Sequence, residues 1–197
     1  MSLKSEKKNY YLLKTLAEEI RLYEIVSFDV FDTALLRTVL FPQDIFKILA
    51  SWVNDNFQIV DFQYIRSNME QEIRNQTEQD EITLDDIYNS IQEKYPLLDT
   101  QRIKEKEIEI ELNNSLANPL IYELYRIACQ EKKIIWFISD MYLSTDIIKH
   151  MLQNNGYNKY DELFVSSAFG KCKHDGALYR EIINTKGTSI DTKKWLH

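Results

Sequence analysis

Asp29 closes a short apolar run, Ile25-Val26-Ser27-Phe28, and the polar pair Asp32-Thr33 follows soon after. Such a run reads as a strand buried on both faces. A carboxylate at the carboxyl end of a parallel strand lies where open α/β sheets bind ligands. It can serve as a nucleophile, as a metal ligand, or as both. The same residues also suit a strand followed by a simple Asx turn. A second run, Ile134 to Ile138, closes on Ser139-Asp140, and a third, Leu163 to Val165, closes on Ser166-Ser167. Lys173 then stands just ahead of a helical stretch, where a lysine is ordinarily solvated but can also set its cation on an anion held at the strand ends.

The elements that must position these residues are legible from periodicity. A helix is expected from about Lys8 to Tyr23, with Tyr11, Leu12, Leu16, Ile20 and Tyr23 on its apolar stripe. After the first strand, Pro42 marks a helix start, with Ile45, Ile48, Leu49, Trp52 and Val53 facing inward. Phe62, Ile65, Met69 and Ile73 form a second stripe. Thr83-Leu84-Asp85-Asp86 resembles a capping box and opens a third helix carrying Ile87, Ile91 and Tyr95. A charged helix from about Thr100 to Asn113 has Ile103, Ile108, Ile110 and Leu112 on two faces. No strand signal interrupts this helical block. Beyond Pro119 helices alternate with strands, the pattern of a parallel sheet. Gly156 and Gly187 end two of those helices, and Trp195-Leu196-His197 reads as the opening of a fourth strand.

Composition excludes several classes. The chain has 197 residues and a formal net charge of -7, which argues against a nucleic-acid surface. No apolar run approaches the ~20 residues of a membrane span, and the start has no signal-peptide core, so a cytoplasmic protein is expected. Two cysteines, Cys129 and Cys172, form no CxxC pair, and three histidines are scattered. Any metal is therefore expected on oxygen ligands, with magnesium the best fit.

Taken in order, the strand ends resemble the haloacid-dehalogenase-like (HAD) hydrolase superfamily. Its first motif, an apolar strand ending DxDx(T/V), is similar to Ser27 through Thr33, with Asp29 and Thr33 at the matching positions. Its second, an apolar strand ending in Ser or Thr, is similar to Ile135 through Asp140. Its third, a lysine before a helix, is similar to Lys173 through Tyr179, with Lys171 as the alternative lysine. The resemblance, which covers the chain after about Tyr23, implies a Rossmann-like α/β core over residues 20–40 and 119–197 and an all-helical cap over 41–118; the N-terminal helix, over 1–19, is expected to pack on the core. The wording of Phe28 to Thr33 and of Ile138 to Leu143 is similar to a bacterial subgroup often fused to glycosyltransferases for surface polysaccharides.

The resemblance also implies roles. Asp29 would attack phosphorus of a small phosphorylated metabolite or sugar, with Ser139 and Lys173 holding the phosphate. Magnesium would sit on Asp29, the Phe31 carbonyl and Asp140, and Thr33, Ser139, Asp140 and Lys171 would line the substrate. Two departures stand out. The family's general acid lies two residues after the nucleophile, where this chain has Phe31; losing such an acid typically costs about 10²–10⁴-fold in rate. An acid-less site suits good leaving groups, carbon–halogen bonds, or no turnover, and Asp32 is either a substitute acid or a turn residue. The family's fourth motif, an acidic pair after another strand, is expected beyond His197, so the core is expected to be truncated at its C-terminus and to bind magnesium weakly. Besides the phosphatase, the sequence leaves open a metal-free dehalogenase and a non-catalytic module accompanying a glycosyltransferase.

Overall fold

The structure, a computed structural model, describes residues 3–78, 80–187, 191 and 194–197, with side chains from Tyr11 onward. Parts of the expected 1–19 and 119–197 segments thus lie outside the described residues. In chain order the elements are α1 (Leu3–Leu22), β1 (Ile25–Asp29), β2 (Leu35–Arg37), α2 (Asp44–Phe57), α3 (Phe62–Gln76), α4 (Leu84–Lys94) and α5 (Thr100–Asn113). They continue with β3 (Ser115–Ala117), α6 (Pro119–Gln130), β4 (Ile134–Ser139), α7 (Thr145–Asn154), β5 (Glu162–Val165), α8 (Ser166–Phe169), α9 (Ala177–Lys186) and β6 (Trp195–Leu196).

Four strands form one parallel sheet in the order β5-β4-β1-β6. The chain runs outward from β1 to β5 and then returns on the other side of β1, so β1 lies at the reversal of strand order, where such sheets place ligands. Its register pairs Asp29 with Ile138, which puts Ser139 one residue beyond Asp29 on the neighbouring strand. The two faces follow the strand period of two. Val26 and Phe28 join Ile135 and Phe137 in the large core shared with α1, α6 and α7. Ile25, Trp136 and Ile138 face the other way, against Leu178 and Ile182 of α9. Ser27 points to that second face, where its hydroxyl accepts from Trp195 Nε1 at 2.7 Å and meets His197 Nδ1 at 2.7 Å.

Helices α2 to α5 form the helical insertion between β1 and α6. Their boundaries follow local signals. Thr83 caps α4 in a reciprocal capping box with Asp86, as the sequence suggests. Asp99 caps α5 by accepting from the Arg102 amide. Three details depart from the sequence reading. The block 41–118 does contain a strand: β3 pairs antiparallel with β2, and this two-stranded ribbon carries the chain into and out of the insertion. Three-residue strands are too short to print a recognisable pattern. The stripe of α1 also runs through Leu13, Leu16 and Ile20, leaving Tyr11 and Leu12 exposed. Ile48 of α2 is exposed too, and Phe46 takes the buried position.

A charged cluster holds the insertion together. Arg66 of α3 and Glu107 of α5 are fully buried and bidentate, with Nε and Nη2 each 2.8 Å from a Glu107 oxygen. Tyr88 of α4 donates to the same carboxylate at 2.6 Å, and Arg66 Nη1 donates to Glu70 at 2.9 Å. The guanidinium lies between the rings of Phe46 and Tyr142, 4.5 and 4.9 Å from their centroids. Burial acts to deprotonate Arg66, but Glu107 overcomes it and keeps the guanidinium firmly charged.

Candidate active site

The carboxyl ends of β1 and β4 and the loop before α9 come together through side-chain contacts. Lys173 Nζ forms an ion pair with Asp29 Oδ1, and the Thr33 hydroxyl donates to Asp29 Oδ2 at 2.7 Å. The carboxylate is thus held at both oxygens by donors from either side. Side chains of Asp29 and Lys173 remain 28% and 18% exposed, so both reach solvent. Lys173 Nζ also donates to the Ile138 carbonyl at 3.3 Å, which ties it to the end of β4. Its backbone N–H donates to both oxygens of Asp140, at 3.0 and 2.8 Å. Asp29, Lys173 and Asp140 therefore form one connected set.

Ser139 is buried, and its hydroxyl is one of two buried side-chain polar groups without a hydrogen-bond partner among the described residues, the other being Arg37 Nε. Buried hydroxyls are nearly always bonded, so this one stands out as an unsatisfied donor at the end of β4. The carboxyl of Asp140 is pushed above the ordinary range, first by burial and then by the negative charges of Glu81 and Asp29, against the pull of Lys173. Tyr179 of α9, also near this charge, is driven up to about 12, chiefly by burial and further by Asp29 and Asp140. His197 is held more basic-poor than a free imidazole, first by burial and then by Lys173.

Two candidates stand apart. Asp32 adopts a left-handed conformation at φ 57°, which aspartate tolerates better than most residues. Its carboxylate is 67% exposed and pairs with Arg37 at 3.1 Å, and no bond joins it to Asp29, Ser139 or Lys173. Arg37 in turn lies over the Phe31 ring, 4.7 Å from its centroid. Lys171 pairs with Glu181 of α9 at 2.5 Å and leaves Asp29 to Lys173.

Glu81 gave no signal in the sequence, yet it is buried close to these loops. Its oxygens accept from Arg74 at 2.6 Å, the Ile82 amide at 3.1 Å and Ser166 at 2.9 Å. Arg66, Glu107 and Glu111 were missed as well. They did carry a signal, since each interrupts an apolar helical stripe with a charge.

Among the described residues, no three acids, histidines or cysteines converge on one point. Magnesium does not require that. It keeps several waters and is commonly bound through one or two carboxylates together with substrate phosphate. Asp29 and Asp140, with the Phe31 carbonyl, have the oxygen-donor chemistry for it.

No family profile matches this chain, and no curated protein matches it in sequence. Solved structures do. A dehalogenase determined with an intermediate complex superimposes over 88% of this chain and 75% of its own, with 12% identity and a TM-score of 0.54. A further dehalogenase structure gives 12% identity and a TM-score of 0.50 over 88% and 74%. A HAD family enzyme from Bacteroides thetaiotaomicron, an aspartate-to-alanine mutant in complex with magnesium and inorganic phosphate, gives 11% identity and a TM-score of 0.50 over 88% and 82%. The chain therefore has a HAD-like fold: a Rossmann-like parallel core with an inserted helical cap.

Proposed function

We propose that this chain is a hydrolase that uses Asp29 as its nucleophile on small phosphomonoesters. The observation that carries this reading is the pairing of Asp29 with Lys173 at the reversal of strand order, beside the unbonded hydroxyl of Ser139. A carboxylate held by Lys173 and Thr33 keeps its attacking oxygen oriented. Asp29 forms a bond to phosphorus as the ester P–O bond breaks, and the leaving oxygen departs with the electron pair. Water then attacks the aspartyl-phosphate, releasing inorganic phosphate and restoring the carboxylate. Lys173 and Ser139 bear on the charge that builds on the phosphoryl oxygens. Asp29, Asp140 and the Phe31 carbonyl would hold magnesium, which when bound supplies further charge neutralisation.

Phe31 cannot protonate the leaving group, and Asp32 is engaged with Arg37. The substrates favoured are therefore those whose leaving group departs as a stable anion. The same feature supports a second reading, metal-free displacement of halide from carbon by Asp29, since halide needs no proton. We take residues 41–118 as the cap that selects the substrate, and a cytoplasmic setting alongside a surface-polysaccharide glycosyltransferase as the context. No helix among the described residues is long and apolar enough to cross a membrane.

The test is a panel of aryl, acyl and alkyl phosphates and 2-haloacids, with magnesium and with chelator, on wild type and Asp29→Asn. Magnesium-dependent release of phosphate, steepest for aryl and acyl esters and lost by about 10⁴-fold or more in the variant, is expected. Halide release that survives chelation would replace the first reading by the second.

A further inference from the structure

The loop between α3 and α4 reaches out of the helical insertion and docks on the core. The Asp80 amide donates to the Gly170 carbonyl at 3.2 Å, and the Leu84 amide donates to the Tyr142 carbonyl at 2.9 Å. Glu81 is buried between these two bonds. One of its oxygens accepts from Arg74 and from the Ile82 amide, which fixes the carboxylate to the insertion. The other accepts from the hydroxyl of Ser166 at the end of β5, and the Cys172 thiol lies 3.7 Å away.

Ser166 is the next link. Its oxygen accepts from the Met141 amide at 2.8 Å. Met141 directly follows Asp140, and Asp140 is bound through both oxygens by the Lys173 amide. Lys173 carries the ion pair with Asp29. A hydrogen-bonded path therefore runs from Arg74 in the insertion, through Glu81 and Ser166, to the loops that present Asp140 and Lys173. A buried carboxylate with four donors around it resists displacement, because moving away leaves a desolvated charge.

We propose that Glu81 is a positioning residue: its buried carboxylate fastens the helical insertion to the loops after β4 and β5, so that the seating of the insertion sets the placement of Asp140 and Lys173 beside Asp29. Glu81 does not touch the substrate. It acts through Ser166 and the Met141 amide. The placement of the loops is a property of the fold and stands apart from the phosphatase reading; only the effect on turnover rests on that reading.

Amide exchange and thiol labelling test the idea without any substrate. In a Cys129→Ser background Cys172 is the sole thiol, and it donates to the Asp80 carbonyl at 3.0 Å. Glu81→Ala should raise the labelling rate of Cys172 and the exchange of peptides covering Met141 and Lys173 by about tenfold, the scale of a lost charge-assisted hydrogen bond. Exchange of α7 should not change. Glu81→Gln retains an acceptor and should restore part of the protection. Ser166→Ala, which leaves Glu81 in place, should loosen the Met141 peptide and leave Cys172 labelling near wild type. Glu81→Ala protein that melts lower yet labels and exchanges as wild type at these sites would overturn the proposal. On an aryl phosphate, the same variant should lose about tenfold in kcat with little change in KM. Loosened loops with unchanged kcat would overturn the positioning role, whereas an inactive wild type with loosened variants would overturn only the phosphatase reading.

Discussion

Two clusters of charge in this protein differ in one respect that decides what each can do. In the helical insertion, Arg66 and Glu107 are sealed from solvent, and both carboxylate oxygens and all three guanidinium nitrogens of the pair are bonded. At the strand ends, Asp29 and Lys173 are also paired, but both stay partly exposed, and Ser139 beside them keeps an open hydroxyl. The first cluster has spent its bonding capacity on the fold. The second has capacity left for a ligand. An ion pair is thus weak evidence for a site until its unsatisfied neighbours and its access to solvent are known.

The comparison can be broken most severely in the insertion. Glu107→Gln leaves Arg66 buried with its charge poorly compensated, and should cost about 3–5 kcal/mol of stability. Chemical denaturation measures it; a change under about 1 kcal/mol would mean that solvent reaches this pair after all. Lys173→Met should do the reverse. Turnover should fall by about 10²–10³-fold, the usual effect of removing one charge-stabilising donor, while the melting temperature stays close to wild type. Loss of folding in that variant would move Lys173 to the structural side of the comparison.

Glu111 sharpens the picture through pH. It is buried beside the sealed cluster, and its carboxyl is lifted to about 7, first by burial and also by Glu107, against the pull of Arg37, Arg66 and a bond from Tyr142. The folded state therefore holds a proton that the unfolded state releases near 4.5. Between those values the folded state binds more protons, so stability should fall as pH rises through about 4.5 to 7, by on the order of 3 kcal/mol in total. Glu111→Gln should flatten that slope and gain most above pH 7. Equal slopes in urea melts of the two proteins would assign the pH dependence elsewhere.

The smallest effect is expected at Asp32. Paired with Arg37 and largely exposed, it should tolerate Asn with turnover within about twofold, as an exposed ion pair contributes little. A loss of about 10²-fold would instead make it the missing acid.

Much of the candidate site's framework was readable because its signals are local. An apolar run that stops on Asp29, another that stops on Ser139, and a lysine ahead of α9 each announce a strand end or a helix start within a few residues. The parallel order follows from alternation of strands with helices, and the start of α4 from the Thr83 and Asp86 pair. Other features have no local trace. Arg66 meets Glu107 across 41 residues, and Glu81 meets Ser166 across 85. Lys173 was preferred over Lys171 by motif likeness, but what separates them physically is that one faces Asp29 and the other Glu181. Asp32 could be acid or turn in the sequence; its left-handed backbone and Arg37 decide its direction. Periodicity depends on neighbours along the chain, so residue order encodes it. The partner of a charge depends on which helices and loops pack together, and that is set only when the whole chain has folded.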